Sequence, residues 1–377
     1  MGIYEGLGVR RIINVNARWT ALGGSKMPEP VLAAMNEATG SYVDMHELQR
    51  AVGRRIAELT RNDGAYVTAG AAAGLVVSTL AAMNRGDLPT IARAIEGQTP
   101  ERHEIVIHRA HRIPYDPAVI LAGARLVEIG NALQTFPWEL DAAIGPATAA
   151  VLFVAGEHVA HGALSLAQAV AIAHARGVPV IVDAAAQLPP AANLWRFTRN
   201  LGADLAVFSG GKDLRGPQAS GLIVGAADWI EACRVNGSPH QRLARPMKAG
   251  KEEMAGLVVA IERYLALDHA AQSALWEATV QDWIDAVAGL PGVAARRQFP
   301  DEAGQPAPRA RIDLDPAIAG ITGVQLHQRL WEGEPGIAVA LEGPNAISLS
   351  PSVLDGDDPA IVGRRVREIL TPAPVAV

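Results

Sequence analysis

A lysine stands where an apolar run gives way to a Pro/Gly turn, in Phe208-Ser209-Gly210-Gly211-Lys212-Asp213-Leu214-Arg215-Gly216-Pro217. Upstream, Val178-Pro179-Val180-Ile181-Val182-Asp183 is a second apolar run, and it ends in a carboxylate. Short apolar runs bounded by turn residues read as buried strands, so both ionisable groups fall at strand ends, where α/β enzymes collect their chemistry. An amine able to form a Schiff base and an acid able to pair with a pyridinium nitrogen together point to pyridoxal 5'-phosphate. A carboxylate beside that nitrogen favours its charged form, which makes the ring an electron sink for a carbanion at a substrate's α-carbon. Lys212 is then the natural base for the α-proton, with burial or a cation such as Arg215 to lower its pKa.

Three further features fall in a consistent order around this pair. Thr68-Ala69-Gly70-Ala71 follows the strand-like run Ala65–Thr68 and opens a helix; free N–H groups and the positive dipole end there suit a phosphate. Ser209 offers a hydroxyl to the same anion. Taken singly, a small-residue helix start is a packing device and a turn serine caps backbone; the sequence of anion turn, strand-end acid and Ser-x-x-Lys is what carries weight. His108 and His111 lie at and just past the end of a strand over Glu104–Arg109. His111, in the turn leading to Pro114, is the better placed to stack on a cofactor ring, although an ordinary loop histidine has the same appearance. Gln187 is placed to bond the cofactor's phenolic oxygen or to cap a helix. Arg245 and Lys248 precede a long helix, where cations oppose the dipole unless an anion sits there; with Arg18 and Arg215 they are the candidates for holding substrate. His158 and His161 read as loop polars, and no metal site is expected.

The 377 residues suffice for a large domain and a smaller one. A content of 49% hydrophobic but only 5% aromatic residues suits an α/β core. The formal net charge of −6 speaks against nucleic acid, which needs a basic face. Cys233 is the single cysteine, so no intrachain disulfide and no cysteine-rich zinc site can form. No signal-like N-terminus and no apolar run near the roughly 20 residues of a membrane span is present. A cytoplasmic protein is expected, without a membrane or nucleic-acid partner.

Strand-like and helix-like segments alternate from about residue 65 to residue 224, which predicts a mostly parallel sheet within three α/β/α layers. The expected division is an N-terminal arm over 1–45, a large cofactor-binding domain over 46–250, a linking helix over 251–288 and a small α+β domain over 289–377. Residues 301–308 read as a polar loop.

Five motifs together carry a family likeness: residues 14–25, Asp44-Met45-His46-Glu47-Leu48-Gln49, Thr68-Ala69-Gly70-Ala71-Ala72, Ser209-Gly210-Gly211-Lys212, and the cationic stretch from Arg245 to Glu253. Over about residues 10–370 the chain resembles the selenocysteine synthase-related (SelA-like) branch of the fold-type I pyridoxal phosphate enzymes, a class V aminotransferase-like group. That branch includes selenocysteine synthase and an ammonia-lyase acting on phosphorylated glucosaminate. The resemblance implies a homodimer or larger assembly with its site at a subunit interface, Lys212 as the Schiff-base lysine, Asp183 as the pyridinium partner, Thr68–Ala71 with Ser209 as the phosphate cup, and Arg245 and Lys248 facing an anionic substrate group. The chain begins close to the Asn14 motif, has Gly24 near an arginine of selenocysteine synthase, and lacks an arginine in Ala346–Ser350, so selenium transfer and ordinary transamination are not expected. The expectation is β-elimination of water with loss of ammonia from a small amino acid or amino sugar acid. A racemase or epimerase, or a cofactor-binding fold without turnover, are the alternatives.

Overall fold

The computed structural model describes residues 2–371 except 17 and 302. In chain order, β1 (Ile12–Asn14) precedes α1 (Glu29–Thr39) and α2 (Met45–Leu59), counting only helices of eight or more residues. Next come β2 (Gly64–Thr68), α3 (Ala71–Asn84), α4 (Leu88–Ile95), β3 (Glu104–His108), β4 (Arg125–Ile129), β5 (Thr148–Val154), α5 (Leu166–Ala175), β6 (Val180–Asp183), β7 (Leu205–Ser209), β8 (Gly221–Gly225), α6 (Ala227–Asn236) and α7 (Lys251–Ala266). The chain closes with α8 (His269–Val287), β9 (Val293–Gln298), β10 (Arg309–Leu314), α9 (Gly323–Glu332), β11 (Gly336–Ala338), β12 (Ala340–Leu341), β13 (Ala346–Leu349) and α10 (Asp358–Leu370).

Two compact units result. One comprises residues 27–266 and 302–304, the other residues 1–26, 267–301 and 305–377. The arm expected over 1–45 is therefore divided. Its first part joins the C-terminal unit because β1 pairs in parallel with β11, Ile12 opposite Gly336; its second part stays with the large unit because α1 packs on α7. The expected linking helix is two helices, one in each unit, and the second is capped afresh by Asp268, which accepts from the N–H groups of Ala270 and Ala271.

In the large unit seven strands run in the order β2-β8-β7-β6-β5-β3-β4. All are parallel to one another except β8, which pairs antiparallel with both β2 and β7. The connection from β7 to β8 has no crossover helix, so β8 has to run back. Every residue of β6 and β8 is buried, as expected of strands covered on both faces. Helix α3 is apolar nearly all round and is buried along almost its whole length. Its Gly74 lets it close on the sheet, since a Cβ there would come within 2.6 Å of Val207 Cγ1.

Strand β2 is an edge whose free amide groups need partners. Buried Gln49 on α2 supplies them: its Nε2 donates to the Val67 carbonyl at 2.9 Å and its Oε1 accepts from the Val67 N–H at 3.3 Å. Helix α2 starts at Asp44, whose Oδ1 accepts from His46 N–H and Glu47 N–H, and buries Val52, Gly53 and Ile56 against the large unit's core.

The second unit carries an antiparallel sheet, β12-β13-β10-β9. Trp283 of α8, Leu326 of α9 and Val362 of α10 share its core with Ile312 and Ile347. The stretch over 301–308 is not the solvated loop its composition suggests. Asp301, Ala303, Gln305 and Ala307 are buried, and Asp301 Oδ1 accepts from the Gln305 N–H at 2.9 Å.

Candidate active site

The candidate residues gather at the carboxyl ends of the large sheet's parallel strands. Register explains how. Gly221, the first residue of β8, lies opposite Thr68 on one side and opposite Ser209 on the other. Two strand spacings put Thr68 and Ser209 about 10 Å apart. Gly221 has to be glycine, because a Cβ would sit 2.4 Å from the Gly70 carbonyl carbon. The N-terminus of α3 can therefore lean over the end of β8 towards Ser209.

Gly70 is the N-cap of α3, with φ 116°, a conformation that strongly favours glycine. Among the described residues no side chain caps this helix, and its first N–H groups have no intrahelical partner. A Cβ built on Gly70 would meet nothing within 4 Å. An open, uncapped end of a 14-residue helix is a ready anion cradle. Thr68 contributes differently from expectation. Its buried hydroxyl donates to the Gly70 carbonyl at 2.9 Å and shapes the turn. The Ala69 N–H donates to the Met247 carbonyl at 3.1 Å, which docks the cationic stretch against the same turn; Arg245 there is half-buried and Lys248 exposed.

The lysine turn is built by close backbone contacts. The Gly210 N–H donates to the Ser220 carbonyl at 2.8 Å, that of Gly216 to the Gly210 carbonyl at 2.9 Å, and that of Arg215 to the Lys212 carbonyl at 2.9 Å. Side chains at 210 or 211 would collide with Ser220 or Gln218, at 2.1 and 2.5 Å, which is the physical reason for the Ser-Gly-Gly-Lys pattern. Lys212 and Arg215 are half-buried, and Arg215 takes a left-handed φ of 53°.

Asp183 ends β6, paired with Val207 of β7 and Val154 of β5. Burial raises its pKa above the ordinary aspartate value, against an N–H donated by Ala185 and the positive charge of Lys212. A buried carboxylate needs a cationic partner. His111 lies across β5 from it. Its Nδ1 accepts from the Val154 N–H at 3.3 Å, and its ring meets those of Phe153 and His108 edge-on at 4.5 and 4.7 Å. Burial first, and the neighbouring His108 second, hold the His111 pKa down at about 3. The ring is neutral, and with Nδ1 accepting, the proton resides on Nε2.

Gln187 is buried, and its Nε2 approaches the Ala303 carbonyl at 3.4 Å. It lines a cavity of about 460 Å³ with Phe153, Asn193, Arg196 and Gly304. Arg18 belongs to the other unit, where its Nη1 donates to Gln305 Oε1 at 3.0 Å. His158 and His161 are exposed, and among the described residues no group of three or more His, Cys, Asp or Glu could hold a metal ion. Among the described residues no helix is long and apolar enough to cross a membrane. Buried Cys233 is held protonated, its pKa pushed up to about 12 by burial.

Sequence reasoning missed Gly221, Phe153 and the Met247 carbonyl. A glycine opening the strand after the lysine turn was a usable signal for the first. The other two depend on long-range packing that leaves no local mark.

The chain is similar to proteins already known. A family model described as SelA, L-seryl-tRNA selenium transferase, matches residues 13–279. A D-glucosaminate-6-phosphate ammonia lyase of Salmonella typhimurium is 32% identical over 374 residues, covering 97% of each chain. A 5'-C-glycyluridine monooxygenase-decarboxylase of a Streptomyces species is 33% identical, covering 97% of this chain and 92% of its own. A solved structure of D-glucosaminate-6-phosphate ammonia-lyase superposes with a TM-score of 0.86 at 32% identity over 98% of both chains. The architecture is fold type I, as the sequence leads one to expect.

Proposed function

The chain belongs to the SelA family, and from that premise we propose that it is a pyridoxal phosphate-dependent lyase acting on a small amino acid or amino sugar acid by β-elimination of water with loss of ammonia. One observation carries the reading: a buried acid, Asp183, lies within electrostatic reach of Lys212 on the same sheet edge as an uncapped helix end with open space before it. Those three features match the nitrogen, the carbonyl carbon and the phosphate of the cofactor. When bound, the cofactor withdraws electrons from the substrate's α-carbon.

The protein's own groups do the rest. The N–H groups opening α3 and the Ser209 hydroxyl hold the phosphate. Asp183 keeps the ring nitrogen protonated, and neutral His111 offers an uncharged face to the ring, with Gln187 at the phenolic oxygen. Lys212 would take the α-proton, the hydroxyl on the β-carbon would leave as water, and hydrolysis of the resulting enamine would release ammonia and a keto acid. Arg245, Lys248, Arg215 and Arg18 are the cations for the substrate's carboxylate or for a distal anionic group. The working state is a cytoplasmic homodimer without nucleic-acid or membrane partner.

A second reading rests on the relative named as a monooxygenase-decarboxylase, 33% identical to this chain against 32% for the lyase: oxidative decarboxylation at the same α-carbon. Single-enantiomer amino acids and amino sugar acids incubated in heavy water separate the outcomes. Ammonia with a keto acid supports the lyase, carbon dioxide with oxygen uptake the second reading, and a deuterated antipode a racemase. No turnover across the panel leaves a fold that binds the cofactor without acting.

A further inference from the structure

The end of α3 opposite the phosphate cradle borders a second cavity, of about 390 Å³. Over 14 residues the helix rises about 21 Å, so this cavity is remote from the Lys212 edge. Three arginines reach its wall from three separate segments: Arg85 just after α3, Arg93 on α4, and Arg102 two residues before β3. Glu101 is the one carboxylate in that wall. Several other arginines on this unit are matched by acids, as Arg125 is by Glu104 and Arg176 by Asp141. Among the described residues none of the three makes an ion pair.

Two of them are positioned by contacts other than ion pairs, one through an aromatic ring and one through a hydroxyl bonded to the Asp87 carboxylate. The Arg85 guanidinium lies over the Trp229 ring, 5.1 Å from its centroid, a cation–π contact. Its backbone is left-handed, with φ 52°, at the helix-ending position where glycine is the comfortable residue. Arg93 Nη2 donates to Thr90 Oγ1 at 3.0 Å, and that hydroxyl in turn donates to Asp87 at 2.6 Å. Guanidinium groups present forked donors that match tetrahedral oxyanions, and three around one small polar cavity leave positive charge in excess.

We propose that this cavity binds a compact, multiply charged oxyanion of the phosphoryl class, at a site separate from the cofactor. Forked N–H donors of Arg93 and Arg102 grip the oxygens, Arg85 supplies a fixed third charge, and Glu101 limits affinity by repulsion. The test titrates inorganic pyrophosphate into protein saturated with pyridoxal phosphate, so that the cradle at Gly70 is occupied, and follows binding by calorimetry and ³¹P line broadening. Saturable binding is expected. The double variant Arg93→Gln/Arg102→Gln weakens it at least tenfold, whereas Glu101→Gln tightens it two- to threefold. The opposed signs separate an anion site from a merely structural cluster, because loss of folding cannot tighten binding. Absence of saturable binding, or titrations unchanged in both variants, overturns the proposal.

Discussion

Asp183 and His111 flank the same residue, Val154, one through strand pairing and the other through its N–H, yet burial moves them in opposite directions along the pH scale. It raises the acid and lowers the imidazole, because in both cases the low dielectric disfavours the charged form. The difference lies in what opposes burial. Asp183 has the Lys212 charge and an N–H donor to favour its carboxylate; His111 has only the neighbouring His108, which depresses it further. One group is set to respond to a cation and the other is set never to carry charge. The first suits a partner for a protonated ring nitrogen, the second a neutral packing surface.

The contrast can be broken most sharply by mutation. Lys212→Ala removes the amine proposed to form the Schiff base and should lower turnover by about four orders of magnitude or more; undiminished activity would end the account. Asp183→Asn keeps the shape but removes the charge, and should cost about two to three orders of magnitude in kcat. His111→Phe keeps an aromatic face and should cost about tenfold or less. Steady-state kinetics on all three rank them, and a His111 variant as damaged as Asp183→Asn would mean that the imidazole does more than pack.

Gly221→Ala sharpens the same picture from the phosphate side. Its methyl would press on the Gly70 carbonyl carbon at 2.4 Å and move the start of α3. Cofactor retention after gel filtration should fall about tenfold, with about 1–3 kcal/mol lost from stability. Retention equal to that of the wild type would disconnect this glycine from the cradle.

The last test concerns pH. His111 and His108 have folded pKa values near 3 and 4, below the unfolded value of about 6.5. Their contribution to stability is therefore complete above pH 6.5 and is lost as pH falls towards 4, at about 1.4 kcal/mol per pH unit for each ring. Urea unfolding of the cofactor-free protein at pH 7 and pH 5 should show this slope. The His108→Phe/His111→Phe double variant should show it reduced.

Much of the site was legible because strand ends announce themselves locally. Apolar runs terminated by Asp183 and by Ser209-Gly210-Gly211-Lys212 need no distant information, and Asp44 marks the start of α2 by its own chemistry. What stayed hidden depended on partners far along the chain. The reversed direction of β8, the pairing of β1 with β11, and the burial of Ala303 and Gln305 are decided by packing rather than by composition. Helix α4 escaped notice too, since its eight residues begin within a Gly-Asp-Leu-Pro stretch that reads as a turn. Thr68 shows the limit at finer grain: its place at the turn before α3 was evident from sequence, but not that its hydroxyl is spent on the Gly70 carbonyl.

The most direct test of the central claim is the absorption spectrum of the purified protein before and after borohydride reduction, followed by peptide mapping. A yellow protein whose reduced cofactor is fixed covalently to Lys212 is the predicted result. A protein that stays colourless on addition of pyridoxal phosphate, or a cofactor fixed to a different lysine, would contradict it.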